Sequence, residues 1–174
     1  MAPFAGFEMP IQYSGLVDEH RAVRSAAGLF DVSHMGEFFL GGRQAGALLD
    51  ELTPSNISVL PAGRAQYTAL TTERGTFVDD VLVYRLAEDG FLVVVNAANI
   101  AKDCTWIESR RDGFDVRFED RSDATALLAL QGPLSKQILA PIVDGFDAQR
   151  LKYYRVSKGR VAGRDALVSR TGYT

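Results

Sequence analysis

Apolar residues recur at helical spacing in three stretches and alternate or cluster at strand spacing between them. Ser14 to Ala27 predicts the first helix, with Leu16, His20, Val23 and Ala27 as its buried face. Ser14 supplies a candidate N-cap, Asp18 and Glu19 sit in the first turn, and Gly28 offers a left-handed C-cap. Glu37 to Leu40 predicts a short strand, and a second helix near Gln44 to Leu52 carries Ala45, Leu48, Leu49 and Leu52 as its stripe. Three strands follow: Ala65 to Thr71, Thr76 to Arg85 and Phe91 to Asn96. Glu73-Arg74-Gly75 and Glu88-Asp89-Gly90 give hairpin signals between them. A third helix, from Ala98 to near Arg110, presents Ile100, Cys104 and Ile107 on one face, and Phe114 to Glu119 alternates like an edge strand.

Strand, helix, strands, helix, strand is the split pattern of ferredoxin-like α+β folds. The pattern then restarts. Thr125 to Leu130 predicts a buried strand, Leu134 to Ile142 a short helix, and Tyr153 to Lys158 with Arg164 to Arg170 an antiparallel pair linked through Gly159 to Gly163. The expected organisation is a discontinuous first domain, residues 1–36 and 121–174, with residues 37–120 inserted as a ferredoxin-like domain. Both ends read as cut: an apolar start at Pro3-Phe4-Ala5-Gly6-Phe7, and a last strand that stops in a turn without a polar tail.

The 174 residues are 47% hydrophobic and 24% charged, the mix of a globular domain rather than a disordered chain. The net charge of −3, with no basic stripe, argues against nucleic acid as a partner. The longest apolar run, Phe91 to Ala98, is far short of the roughly 20 residues a membrane span needs. Cys104 is the single cysteine, which excludes an internal disulfide and a cysteine-based zinc site. His20 and His34 are too far apart for a zinc motif, so no metal is expected. No secretory signal is visible, and a reducing compartment fits. No glycine run has the spacing of a phosphate-cradling loop.

Asp79-Asp80 is the strongest chemical signal. Neighbours on a strand face opposite ways, so one of the two acids points inward. An inward carboxylate costs several kcal/mol unless it is paired or hydrogen-bonded. Such an acid could act as a general base or orient an amine; a solvated acid, or one paired with Arg85 or Lys102, is the plainer reading. Asn96 and Asn99 follow an apolar strand: one of them is expected to cap the next helix, and the other would present an amide at the strand's carboxyl end. His34, with no nucleophile or acid motif beside it, reads as structural. Met35 could pack on a flat ligand or fill core. Tyr67, Tyr84, Tyr153, Tyr154 and Tyr173 fall on predicted strands or their ends, and together they could line a pocket for a planar heterocycle.

Several blocks resemble the aminomethyltransferase (T-protein) family of the glycine cleavage system. They are Phe4-Ala5-Gly6-Phe7-Glu8-Met9-Pro10, Glu19-His20-Arg21-Ala22-Val23-Arg24 and Gly28 through Glu37, with its Ser33-His34-Met35-Gly36-Glu37. The likeness continues through Gly63-Arg64-Ala65-Gln66-Tyr67, Val78-Asp79-Asp80, Val95-Asn96-Ala97-Ala98-Asn99, Ala129 to Pro133 and Ser169 to Thr174. The resemblance implies a three-domain protein around a folate channel, with the ferredoxin-like block as its inserted second domain. It implies transfer of an aminomethyl group's methylene carbon from the lipoyl arm of H-protein to tetrahydrofolate, with release of ammonia. Asp80 matches the family's catalytic carboxylate. Met35, Tyr67, Tyr84, Val94, Asn96, Tyr154 and Tyr173 match folate-contacting positions, while His34 stays structural. A cytoplasmic location, or a mitochondrial matrix in a eukaryote, is the corresponding expectation. Family members continue past the Gly-Tyr-Thr block with a Gly-Glu-Asp-Gly run and a further domain, so a fragment with little activity of its own is expected. Alternatives are a non-catalytic folate-binding module and the folate domain of a dimethylglycine or sarcosine oxidising enzyme.

Overall fold

The computed structural model describes residues 1–172; Tyr173 and Thr174 lie outside them. The chain forms two compact units, one from residues 1–34 and 127–174 and one from 35–126. The first begins with strands β1 (Ala2–Phe4) and β2 (Phe7–Met9), helix α1 (Leu16–Ser25) and strand β3 (Gly28–Asp31). The second holds β4 (Gly36–Gly41), α2 (Ala45–Leu52), β5 (Arg64–Thr71), β6 (Phe77–Ala87), β7 (Gly90–Val95), α3 (Ile100–Arg110) and β8 (Arg117–Asp120). The first unit resumes with β9 (Leu128–Gln131), α4 (Ser135–Leu139), β10 (Val143–Asp144), β11 (Arg155–Val161) and β12 (Arg164–Arg170).

Within the second unit the strands run in the order β5-β6-β7-β4-β8, every neighbour antiparallel. Strands β6, β7, β4 and β8 with helices α2 and α3 make the ferredoxin-like arrangement, and β5 adds a strand beside β6. The overall fold is α+β. Helix α2 forms as its stripe predicts: Ala45, Leu48, Leu49 and Leu52 are all buried. They meet Phe38, Leu40, Val81, Val83, Val93 and Val95 from one face of the sheet, with Ile107 from α3. Each such leucine or valine contributes about 1.5–3 kcal/mol by leaving water. Pleat alternation sends the residues between them to the other face: Glu37 on β4, Tyr67 on β5, Leu82 on β6 and Val94 on β7 form one cross-strand row there.

In the first unit β1 pairs with β2, β3 with β9, and β11 with both β10 and β12. Several local expectations are corrected here. Helix α1 is shorter than predicted, and Ser14 does not cap it: the Leu16 amide donates to Gln12 Oε1 at 3.3 Å, and Glu19 ties down the residues that lead into the helix. The Glu19 carboxylate accepts the amides of Tyr13, Ser14 and Gly15 at 2.6, 2.6 and 2.9 Å. Gly28 is not a C-cap: the helix ends at Ala26, and Gly28 opens β3 where a Cβ would press on Val23 Cγ2 at 2.6 Å. No residue of α1 is buried, and Leu16 and His20 are exposed. The strand expected to be buried at Thr125 to Leu130 is β9, shorter and with no buried residue.

Candidate functional site

Strand β6 carries Asp79 and Asp80 on opposite faces of the sheet. Asp80 is exposed and lies on the face opposite the core, in step with Leu82 and Tyr84. The neighbouring strand brings Tyr67 alongside, and its hydroxyl donates to Asp80 Oδ2 at 2.9 Å. Asn96, just past the end of β7, donates from Nδ2 to Asp80 Oδ1 at 3.1 Å and to the Asp80 carbonyl at 3.0 Å. Each carboxylate oxygen of Asp80 therefore meets one donor, Tyr67 from β5 on one and Asn96 from just beyond β7 on the other. An ionised carboxylate has about four lone-pair sites, so acceptor capacity remains for a ligand's N–H.

Asp79 points the other way and is buried. It accepts the Asn96 backbone amide at 3.1 Å, Asn96 Nδ2 at 3.0 Å and Asn99 Nδ2 at 2.6 Å. Burial pushes its pKa up, but hydrogen bonds from Asp103, Asn96 and Asn99 outweigh that and hold the carboxyl below its usual range. The expected helix cap is corrected: neither Asn96 nor Asn99 caps the following turn or α3 with its side chain, because both amides turn to the buried acid. The expected ion pairs are also corrected. Lys102 Nζ donates to the Val78 carbonyl at 2.5 Å, and the Arg85 guanidinium serves the carbonyls of Ser58, Leu60, Ala87 and Glu88.

Of the other positions singled out in the sequence, Val94 lies half-buried in the row that runs from Glu37 to Tyr67. Tyr84 is buried on the face of Asp80, and Met35 is half-buried immediately before β4. Tyr154 belongs to the first unit, with φ +54°; its amide donates to the Arg170 carbonyl at 2.7 Å and its ring meets Tyr153 edge-on. Tyr173 lies outside the described residues. His34 packs edge-on against Phe4 and Phe7, a structural setting.

Two acids escaped the sequence reading. Glu37 is 1% exposed, neither side-chain oxygen has a hydrogen-bond partner among the described residues, and burial with the nearby Asp120 raises its carboxyl to about 7. Asp103 is fully buried on α3, at the i+3 position of the stripe formed by Ile100, Cys104 and Ile107. An acid inside an apolar stripe is the only trace it leaves in the sequence. Among the described residues no cluster of ligating side chains could hold a metal ion, and no helix is long and apolar enough to cross a membrane.

The family described as GCVT N-terminal domain matches residues 1–174. The chain is 50% identical over 174 residues to an aminomethyltransferase of Thermus thermophilus, covering all of this chain and 50% of that protein. It is 47% identical over 175 residues to one from Thermotoga maritima, covering all of this chain and 48% of that protein. Among solved structures, the glycine cleavage system aminomethyltransferase T of Bartonella henselae superposes with a TM-score of 0.86 at 34% identity, over 99% of this chain and 46% of that one. The heterotetrameric sarcosine oxidase of Corynebacterium sp. U-96 shares the fold, with a TM-score of 0.64 at 18% identity over 91% of this chain and 78% of that one. The chain spans about half the length of the curated relatives it matches. The chain belongs to the GCVT N-terminal domain family.

Proposed function

We propose that the protein is an aminomethyltransferase of glycine cleavage and that Asp80 is its catalytic carboxylate. Tetrahydrofolate is the acceptor substrate, and the lipoylated H-protein is the partner that delivers the aminomethyl group. The methylene carbon leaves the lipoyl sulfur for the folate nitrogens, the sulfur takes up a proton, and ammonia departs. The observation that carries this reading is the clamp on Asp80: an exposed carboxylate fixed on both oxygens by Tyr67 and Asn96. A carboxylate so held orients an attacking amine, accepts its proton and stabilises the iminium charge that develops as ammonia leaves. Preorganisation by two donors lets it do so without rearranging at the moment of reaction.

The face around Asp80 suits a flat, partly apolar substrate. Tyr67, 55% exposed, offers a ring face beside the acid, and Val94 and Leu82 continue the surface. Met35, Tyr84, Asn96, Tyr154 and Tyr173 complete the proposed folate contacts, and no metal takes part. The inserted unit is the part that presents the acid, and the remainder of a three-domain protein completes the channel.

The test is turnover by the full-length protein with tetrahydrofolate and aminomethyl-loaded H-protein. Formation of methylenetetrahydrofolate and ammonia that collapses in Asp80→Asn supports the proposal. Folate binding without turnover makes the protein a binding module, and neither binding nor turnover removes the folate reading altogether.

A further inference from the structure

On the helix-covered side of the sheet, Asp79 accepts Asn99 Nδ2 at the start of α3, Lys102 of α3 donates to the Val78 carbonyl of β6, and Asp103, a second buried acid, lies one turn beyond Asn99. We propose that Asp103 is a positioning residue: as a neutral carboxylic acid it donates its proton to Asp79, and the Asp79 carboxylate, so held, anchors the Asn96 amide that fixes Asp80. The inference rests on the reading of Asp80 as the catalytic acid.

Hydrogen-bond supply leads to this assignment. As a carboxylate, fully buried Asp103 has no donor for either oxygen among the described residues. As an acid, its O–H is a donor for the nearby Asp79, which already accepts Asn99 Nδ2 at 2.6 Å one turn before Asp103 on the same helix face. Asp79 then receives four donors: the Asn96 amide, Asn96 Nδ2, Asn99 Nδ2 and the Asp103 hydroxyl, the full complement of a carboxylate. Two carboxylates side by side without a cation between them would repel in a dry site, so the pair keeps one proton. Burial, then the Asp79 hydrogen bond and charge, then Asp80, push the Asp103 carboxyl up to about 8, against the opposing pull of Lys102.

The relay to the open face is short. Asn96 Nδ2 sits between the two faces, sharing its hydrogens among Asp79 Oδ1, Asp80 Oδ1 and the Asp80 carbonyl at 3.0–3.1 Å. If Asp103 loses its proton, Asp79 is repelled, the amide loses its inner anchor, and Asp80 Oδ1 loses its fixed donor. Asn99, bound to the same Asp79 oxygen, shares the strain.

Asp103→Asn in the full-length protein is the test, because an amide donates to Asp79 at every pH and keeps the shape. A native acid whose folded value lies above its unfolded one weakens folding as pH rises between the two, and the loss is complete above the folded value. The folding equilibrium constant of Asp103→Asn relative to the parent should therefore rise about tenfold per pH unit from roughly pH 5 to pH 8 and level off beyond. The Asn96 side-chain amide resonances should titrate near pH 8 in the parent and stay constant in the variant. Turnover of the parent should fall above about pH 8, and Asp103→Asn should remove that alkaline loss. A stability ratio flat with pH overturns the shared proton. A ratio that rises while the Asn96 resonances and the alkaline turnover are the same in both proteins overturns the positioning role. Absence of aminomethyl transfer in the parent defeats the catalytic reading of Asp80, while the stability and resonance measurements still decide the proton and the relay to Asn96.

Discussion

The two units use similar apolar patterns and end with opposite burial. In the inserted unit the stripe of α2 and the inward residues of β4, β6 and β7 vanish into one core. In the first unit only Ala148 and Val156 count as buried hydrophobics among the described residues, while Phe4, Phe7, Leu16, Val17, Leu29 and Phe30 are exposed. The difference teaches that an apolar stripe encodes a face to be covered and does not by itself provide the cover. The inserted unit supplies both layers, sheet and helices, from one continuous stretch. Its polar chemistry follows from that completeness, since a carboxylate can be clamped on one face only because the other face is anchored.

The largest expected effect concerns that clamp. Asp80→Asn should lower the turnover of the full-length protein by about 10²–10⁴-fold while leaving the thermal midpoint nearly unchanged. A loss below tenfold would remove the chemistry from this unit. Next comes the core itself: Leu49→Ala should cost about 2–5 kcal/mol in urea unfolding. Glu37→Gln should act through pH. The acid is raised by burial first and Asp120 second, to about 7, so its neutral form is the one the fold holds. Because the folded value exceeds the unfolded one, wild-type stability falls relative to Glu37→Gln as pH climbs from about 4.3 to about 7, then runs parallel to it. A stability gap that shrinks with pH in that window would show Glu37 to be ionised in the fold. Tyr67→Phe removes a single neutral donor from Asp80 and should cost about 0.5–1.5 kcal/mol in transition-state stabilisation, read as kcat/KM. Smallest of all, Leu16→Ala on the exposed face of α1 should stay within about 0.5 kcal/mol. Equal costs for Leu16→Ala and Leu49→Ala would erase the contrast between the units.

The inserted unit was the more legible one for a physical reason. Its hairpins close locally, so the alternation of Thr76 to Arg85 and Phe91 to Asn96 had its partner strand within a few residues, and the structure pairs them as β6 and β7. The stripe of α2 was read residue for residue. The opening hairpin of β1 and β2 went unread because two three-residue strands are too short to establish a period. At the site, Tyr67, Asp80 and Asn96 were named from the sequence, and the structure brings the three together. What sequence could not give was the destination of the asparagine amides. A cap lies in the next turn and is the local expectation, whereas the partner that won, Asp79, stands 17 and 20 residues away on another strand. Asp103 was hidden for the same reason: its only explanation is an acid across a helix-to-sheet contact.

The pairing of β3 with β9 joins Gly28 to Gln131 and Asp31 to Leu128, positions separated by the whole inserted unit. On a ribosome adding about 5–20 residues per second, β3 waits on the order of 5–20 s for its partner to be made. Residues 35–126 are all synthesised before β9 is made. The insertion thus sets a timetable: the unit that holds the acid can be finished before the unit that encloses it closes.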